Sequence, residues 1–296
     1  MTFPVAGIET YWFVPPLVAF LISFFTSMAG VSGAFLILPF QMSVLGFTSP
    51  SVSSTNFLYN LIGIPGGVYR YIREGRMAWP LTVCIVVATV PGVLVGYIIR
   101  VRYLPEPRNF KFFVGLVLLY IGYRLIFSLK HSQVKGRRQP MEDFRISNVR
   151  YGLRRICFTF LEQDISFSVP VVFTLSLIIG VVGGIYGIGG GSIIAPFLVS
   201  VLNLPVYVVS GAVLMSTFMT SISGLLFYSL IPLKGGLTAP PDWLLGILFG
   251  IGGLWGMYLG ARAQKHMPER VIKLILSMVI LLVAGKYILQ FFRVDG

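Results

Sequence analysis

The chain has 296 residues, with 23 Lys and Arg against 10 Asp and Glu for a net charge of +13; 56% of it is apolar, 11% is charged, and its mean hydropathy is +0.85. That balance lies far outside the range of a water-soluble domain of this length and points to a bilayer as its solvent. Continuous apolar runs such as 81–97 and 272–284 exclude a transmembrane β-barrel, whose segments alternate in polarity; the basic residues fall in short loops, so lipid headgroups and orientation account for them and no nucleic-acid partner is expected.

In chain order, the first apolar stretch opens near Phe13 with Glu9 as the charged side chain ahead of it, so it does not read as a cleaved signal peptide. A helix needs about 20 apolar residues to cross about 30 Å of hydrocarbon. Candidate spans on that measure lie near 13–46, 51–70, 78–100 and 111–130, then 168–204, 206–231, 243–261 and 270–292. This predicts an all-α polytopic membrane protein of about eight transmembrane segments: an N-terminal transmembrane repeat (1–130), a polar, basic connecting segment (131–167) and a C-terminal repeat (168–296). Within the connecting segment, residues 155–160 and 164–169 alternate in polarity around Glu162-Gln163, as two strands of a β-hairpin would; a solvated linker against the headgroups is the other reading. Cys84 and Cys157 suggest neither a disulfide framework nor a thiolate metal site.

The two sets of four spans are copies of each other. Gly30-Val-Ser-Gly33-Ala-Phe-Leu-Ile-Leu-Pro39-Phe40 aligns without a gap with Gly187-Ile-Gly-Gly190-Gly-Ser-Ile-Ile-Ala-Pro196-Phe197. Trp79 then recurs as Trp243, Gly92 and Gly96 as Gly256 and Gly260, Pro105-Glu106 as Pro268-Glu269, and Gly122 as Gly285. Transporters often use such repeats, with the substrate near mid-membrane where the copies meet.

The first segment of each half is too long for one crossing and is interrupted at Gly30 and Gly33, and again at Gly187, Gly189, Gly190 and Gly191. Glycine costs a helix about 1 kcal/mol relative to alanine, so a break or re-entrant hairpin is expected, tolerated at membrane depth where protein or an aqueous cavity satisfies the backbone. Pro39 and Pro196 follow as structural markers of the break. The half-helix beyond each break, with Ser32 or Ser192 as N-cap, would aim amide donors and a positive dipole end at an anion. The GxxxG pairs Gly92/Gly96 and Gly256/Gly260 read instead as close helix contacts.

The next span of each half is polar, with Asn56, Tyr59 and Asn60 in the first copy and Ser216, Thr217 and Thr220 in the second. Asn56 and Asn60 share a helix face and are read as substrate ligands; the hydroxyls are either ligands or interhelical hydrogen bonds. Leucine at Gly190 or Ser192 is expected to abolish flux and largely spare folding. No Asp or Glu lies deep in a span, which argues against a proton relay and for an anion driven outward by the membrane potential. His131 and His266 fall in polar loops, and no HExxH, paired intramembrane Asp or GxSxG appears, so neither an enzyme nor a metal or other cofactor is expected.

The glycine-rich motif from Gly187 to Pro196, its weaker copy at 30–40, and the loop Arg262…Met267-Pro-Glu269 resemble the sulfite exporter TauE/SafE family, also called the toluene-sulfonate uptake permease group, over essentially the whole chain. The resemblance implies a small anionic substrate such as sulfite, a sulfonate or sulfoacetate. It carries the motif onto Gly187, Gly189, Gly190, Gly191 and Pro196, with Gly30, Gly33 and Pro39 as first-half counterparts. Val31-Ser32-Gly33-Ala34 departs from the full glycine run, so the half-sites are expected to be unequal. The resulting expectation is a multi-pass exporter in a cell membrane, the bacterial inner membrane, embedded in a lipid bilayer, with a homodimer as an admissible assembly and an anion channel or a non-transporting scaffold or receptor as alternatives.

Overall fold

The computed structural model describes residues 1–28, 32–73, 75, 77–131, 146–152, 154–160, 163–200, 202, 204, 206–232, 236, 238–263 and 269–292. A short ribbon, β1 (Thr2–Phe3) paired with β2 (Ile8–Glu9), precedes α1 (Val14–Met28) and α2 (Ala34–Ser43), then α3 (Ser51–Gly63), α4 (Pro65–Arg73), α5 (Trp79–Arg102) and α6 (Pro107–His131). After the connecting segment come α7 (Val169–Tyr186), α8 (Gly191–Ser200), α9 (Val206–Leu230), α10 (Trp243–Ala263) and α11 (Glu269–Phe292). Among the described residues, α5, α6, α7, α9, α10 and α11 are long and apolar enough to cross a bilayer. The chain is a polytopic helical membrane protein.

Two expectations are amended. The chain is not all-α: the connecting segment carries a three-stranded antiparallel sheet of β3 (Ile146–Tyr151), β4 (Arg155–Phe160) and β5 (Gln163–Ser168), in the order β3-β4-β5. The alternation at 155–160 signals β4, whereas β3 carries an irregularity between Ser147 and Arg150 that blurs its period of two. The stretch 51–70, expected as one span, divides at Ile64. Pro65 has no N–H, so the Leu61 carbonyl four residues earlier loses its helical donor, while Ile64 itself keeps right-handed helical backbone at φ −86, ψ −30. Ile64 still bridges the bend, donating to the Asn60 carbonyl and accepting from the Gly67 and Val68 amides.

The long helices pack through glycines. Gly92 and Gly96 of α5 lie against the backbone of Leu177, Gly180 and Val181 and against Gly184 of α7; Gly252, Gly256 and Gly260 of α10 lie against the Pro16, Phe20 and Phe24 carbonyls of α1. With no hydrophobic drive between helices in lipid, such close backbone approach is what holds a membrane bundle together. The helix α3 is buried along almost its whole length and packs on α9 and α10, while α9 packs on α3 and α5. Apolar side chains on the outer faces, Val83 and Val87 of α5, Ile178 of α7 and Leu282 of α11, stay exposed, as surface meant for lipid does. Trp79 and Trp243 stand exposed where α5 and α10 begin, the place of interfacial aromatics.

Candidate functional site

The break after α7 is built by glycine and completed by distant side chains. Gly187 closes α7 at φ +86, and Gly189 and Gly190 follow at +70 and +75. A residue with a Cβ pays about 1–2 kcal/mol in that left-handed region. Space is as restrictive as φ here: a Cβ on Gly187 would run into the Ser53 backbone, and one on Gly191 into the Thr217 side chain.

Ending α7 leaves its last carbonyls, and those of the turn that follows, without helical donors, and polar side chains of α3 and α9 supply them. Tyr228 OH donates to the Gly184 carbonyl at 2.8 Å, Ser53 Oγ to Ile185 at 2.9 Å, Asn56 Nδ2 to Gly187 at 3.1 Å and Thr220 Oγ1 to Gly189 at 2.9 Å. Much of the polarity of the second spans therefore maintains the break.

The first break is tied by the same helix α3. Asn56 Nδ2 donates to the Ala34 carbonyl at 3.0 Å, the Ala34 amide donates to Ser32 Oγ at 3.3 Å, and Ser32 Oγ donates to Asn60 Oδ1 at 3.2 Å. Tyr59 OH and Ser23 Oγ share a hydrogen bond of 2.8 Å. A Cβ on Gly33 would lie 2.7 Å from the Tyr59 hydroxyl oxygen, so Gly33 is small because Tyr59 fills that space. Asn56 thus bonds to both breaks, which brings them together.

Pro39 sits inside α2, past the break. Lacking an N–H, it leaves the carbonyl of Phe35, four residues earlier, without its helical donor. Tyr186, the last residue of α7, donates its hydroxyl to that carbonyl at 2.7 Å. Tyr287 of α11 donates to the Pro39 carbonyl at 3.1 Å and shares a 2.7 Å hydrogen bond with Ser43 Oγ.

The fold gives several of the expected site residues structural roles. Gly30 lies outside the described residues. Neither serine is an N-cap: Gly33 and Gly190 hold those positions, their carbonyls accepting Leu36 and Ile37, and Ile193 and Ile194, while Ser192 falls within the first turn of α8. Pro39 and Pro196 lie within α2 and α8, which run on to Ser43 and Ser200, so the glycines make the interruption and the prolines do not. Thr217 Oγ1 bonds back to the Val213 carbonyl and Thr220 also to Ser216, as hydroxyls in membrane helices do; Ser216 Oγ meets Thr89 Oγ1 at 3.3 Å.

Two atoms at the joined breaks remain unpartnered among the described residues: Asn60 Nδ2 and Asn56 Oδ1, on fully buried side chains. Buried polar atoms without partners are rare and costly. Gln41 of α2, an amide within an apolar helix that the repeat alignment passed over, is also fully buried with neither amide atom partnered. Arg100, at the end of α5, was missed too: it donates to the Leu104 and Thr48 carbonyls, and its guanidinium lies 3.6 Å over the Phe110 ring. It staples two loops together.

A family model described as Sulfite exporter TauE/SafE matches residues 16–287. The chain is similar to a probable membrane transporter protein, YunE, of Bacillus subtilis (strain 168), at 21% identity over 89% of this chain and 92% of that protein. It is also similar to a probable membrane transporter protein of Xylella fastidiosa (strain 9a5c), at 23% identity over 88% of this chain and 89% of that protein. No solved structure matches the chain.

Proposed function

The chain belongs to the sulfite exporter TauE/SafE family, and from that premise we propose that it carries a small sulfur-containing or organic oxyanion, such as sulfite, a sulfonate or sulfoacetate, out of the cell across a bacterial inner membrane. The observation that carries this reading is the junction of two broken helices through Asn56, with the buried donor Asn60 Nδ2 unpartnered beside it. Non-helical backbone at membrane depth is tolerated where protein or an aqueous cavity satisfies it, and transporters place substrate sites at such broken helices. Amide donors and the N-terminal ends of α2 and α8 suit an anion without a basic side chain.

Two homologous halves, with the broken pairs α1–α2 and α7–α8 leading each, make the eight-segment reading. The packing supports it: α1 on α10 mirrors α7 on α5, and α3 on α10 mirrors α9 on α5, as exchange of the halves requires. Halves that exchange in this way can rock against one another around a fixed site.

Counterflow of labelled sulfite, sulfoacetate and a plain carboxylate from proteoliposomes, with and without an imposed potential, tests the proposal. Voltage-driven flux of a sulfur oxyanion is expected. Flux that needs a proton or sodium gradient would overturn the coupling, and no flux of any anion would overturn the carrier.

A further inference from the structure

We propose that the ligand held at the joined breaks is an oxyanion that brings a hydrogen-bond donor of its own, a monoanion retaining an O–H, and that a fully deprotonated, acceptor-only oxyanion fits poorly. This rests on the anion-carrier reading and narrows its substrate class.

The orientation of the Asn56 amide decides the matter. Its NH2 group donates to the Ala34 carbonyl at 3.0 Å and the Gly187 carbonyl at 3.1 Å, and neither oxygen can donate in return. Exchanging the amide nitrogen and oxygen would set an acceptor against two acceptors, so Oδ1 is fixed as the remaining atom. It is fully buried and has no partner among the described residues. What Asn56 still offers a ligand is therefore an acceptor, and an ionised oxygen beside it would be repelled.

Asn60, one helical turn along α3, offers the opposite. Its Oδ1 already accepts from Ser32 Oγ, which leaves Nδ2 as an unpartnered donor. Residues four apart on a helix are neighbours at roughly 6 Å. A ligand lying along this face gives an ionised oxygen to Asn60 and an O–H to Asn56. Among the described residues, the hydroxyls of Ser32, Thr217 and Thr220 do not change the complement, since Ser32 directs its hydrogen to Asn60 Oδ1, Thr217 to the Val213 carbonyl, and Thr220 to the carbonyls of Gly189, Ser216 and Thr217 that surround it.

A buried acceptor left unsatisfied lowers affinity by about tenfold to a hundredfold. The test is counterflow by the full chain in proteoliposomes, at one pH and one imposed potential, of 2-hydroxyethanesulfonate against ethanesulfonate, with propanesulfonate as the size-matched control. The hydroxylated anion is expected to move at least about tenfold faster than either analogue. Sulfite flux at constant total concentration is expected to fall as rising pH converts hydrogen sulfite to sulfite. Equal flux of the three sulfonates, with or without a sodium requirement, would overturn the donor requirement and leave the anion carrier standing. No flux of any of them or of sulfite would overturn both.

Discussion

Asn56 and Gly187 stand 131 residues apart, yet the Asn56 amide donates to the Gly187 carbonyl at 3.1 Å, and its second hydrogen goes to Ala34 at 3.0 Å. One side chain thus ties the end of α7 to the start of α2. Interhelical hydrogen bonds in membranes average about 0.6 kcal/mol and reach about 1.7. Asn56→Leu, losing two, is expected to destabilise the protein by roughly 1–3 kcal/mol and to abolish flux. A thermal melt in detergent checks it; an unchanged midpoint would show that the two bonds do not hold the breaks together.

The interruptions were legible because glycine is conspicuous: few local reasons exist for Gly187, Gly189, Gly190 and Gly191 in one apolar run. The GxxxG pairs read correctly as helix contacts for the same reason. The partners of the breaks were not legible, since Tyr186 with Phe35 and Ser53 with Ile185 meet through tertiary packing that no local pattern encodes. Asn56 and Asn60 looked alike from spacing. Only the geometry separates them, because the Asn56 donors are engaged and that of Asn60 is not. The bend before Pro65 was not read, because the apolar run of 51–70 passes through it without a polar break.

Tyr186 and Pro39 are expected to be coupled. Tyr186→Phe removes the donor to the Phe35 carbonyl that Pro39 leaves unpaired, while Pro39→Ala restores a backbone N–H able to reach it. Tyr186→Phe alone should cost about 1 kcal/mol. In the Pro39→Ala background it should cost almost nothing. A double-mutant cycle on thermal stability measures the difference, and additive effects would break the link.

Gly96 and Gly256 are expected to fail alike although they lie in different halves. A Cβ on Gly96 meets the Val181 carbonyl and lies 2.8 Å from Gly184 Cα, and one on Gly256 meets the Phe20 carbonyl. Backbone cannot yield as a side-chain tip can, so leucine at either position should separate α5 from α7 or α10 from α1. Loss of the monodisperse peak in size-exclusion chromatography is the readout. A Gly122→Ala control, whose nearest neighbours are Leu281 side-chain atoms, should keep it.

Gly190 revises the expectation that leucine there spares the fold. The residue lies at φ +75, and its Cβ would sit 3.1 Å from Ile179 Cγ2. Even Gly190→Ala should cost about 1–2 kcal/mol from the left-handed backbone alone. Flux lost through Gly190→Leu would therefore accompany lost stability. Matched melting and transport curves for the alanine variant check this, and a stable but inactive Gly190→Ala would return the position to the ligand set.

Asn60 gives the cleaner probe of the site, because its unpartnered Nδ2 maintains neither break. Asn60→Asp keeps the shape and lets the remaining oxygen accept from Ser32, but replaces the donor with an oxygen. Ionised, that oxygen repels an anion; protonated, it can donate again. At neutral pH flux should drop at least about tenfold, with one lost hydrogen bond to a charged ligand worth about 1.5–3 kcal/mol. Activity should return as pH falls and the acid takes up its proton. Transport by Asn60→Asp that matched the original chain at every pH would remove Asn60 from the anion's path. A uniform loss at every pH, with melting unchanged, would mean that the amide group, and not only a hydrogen, is what the ligand requires.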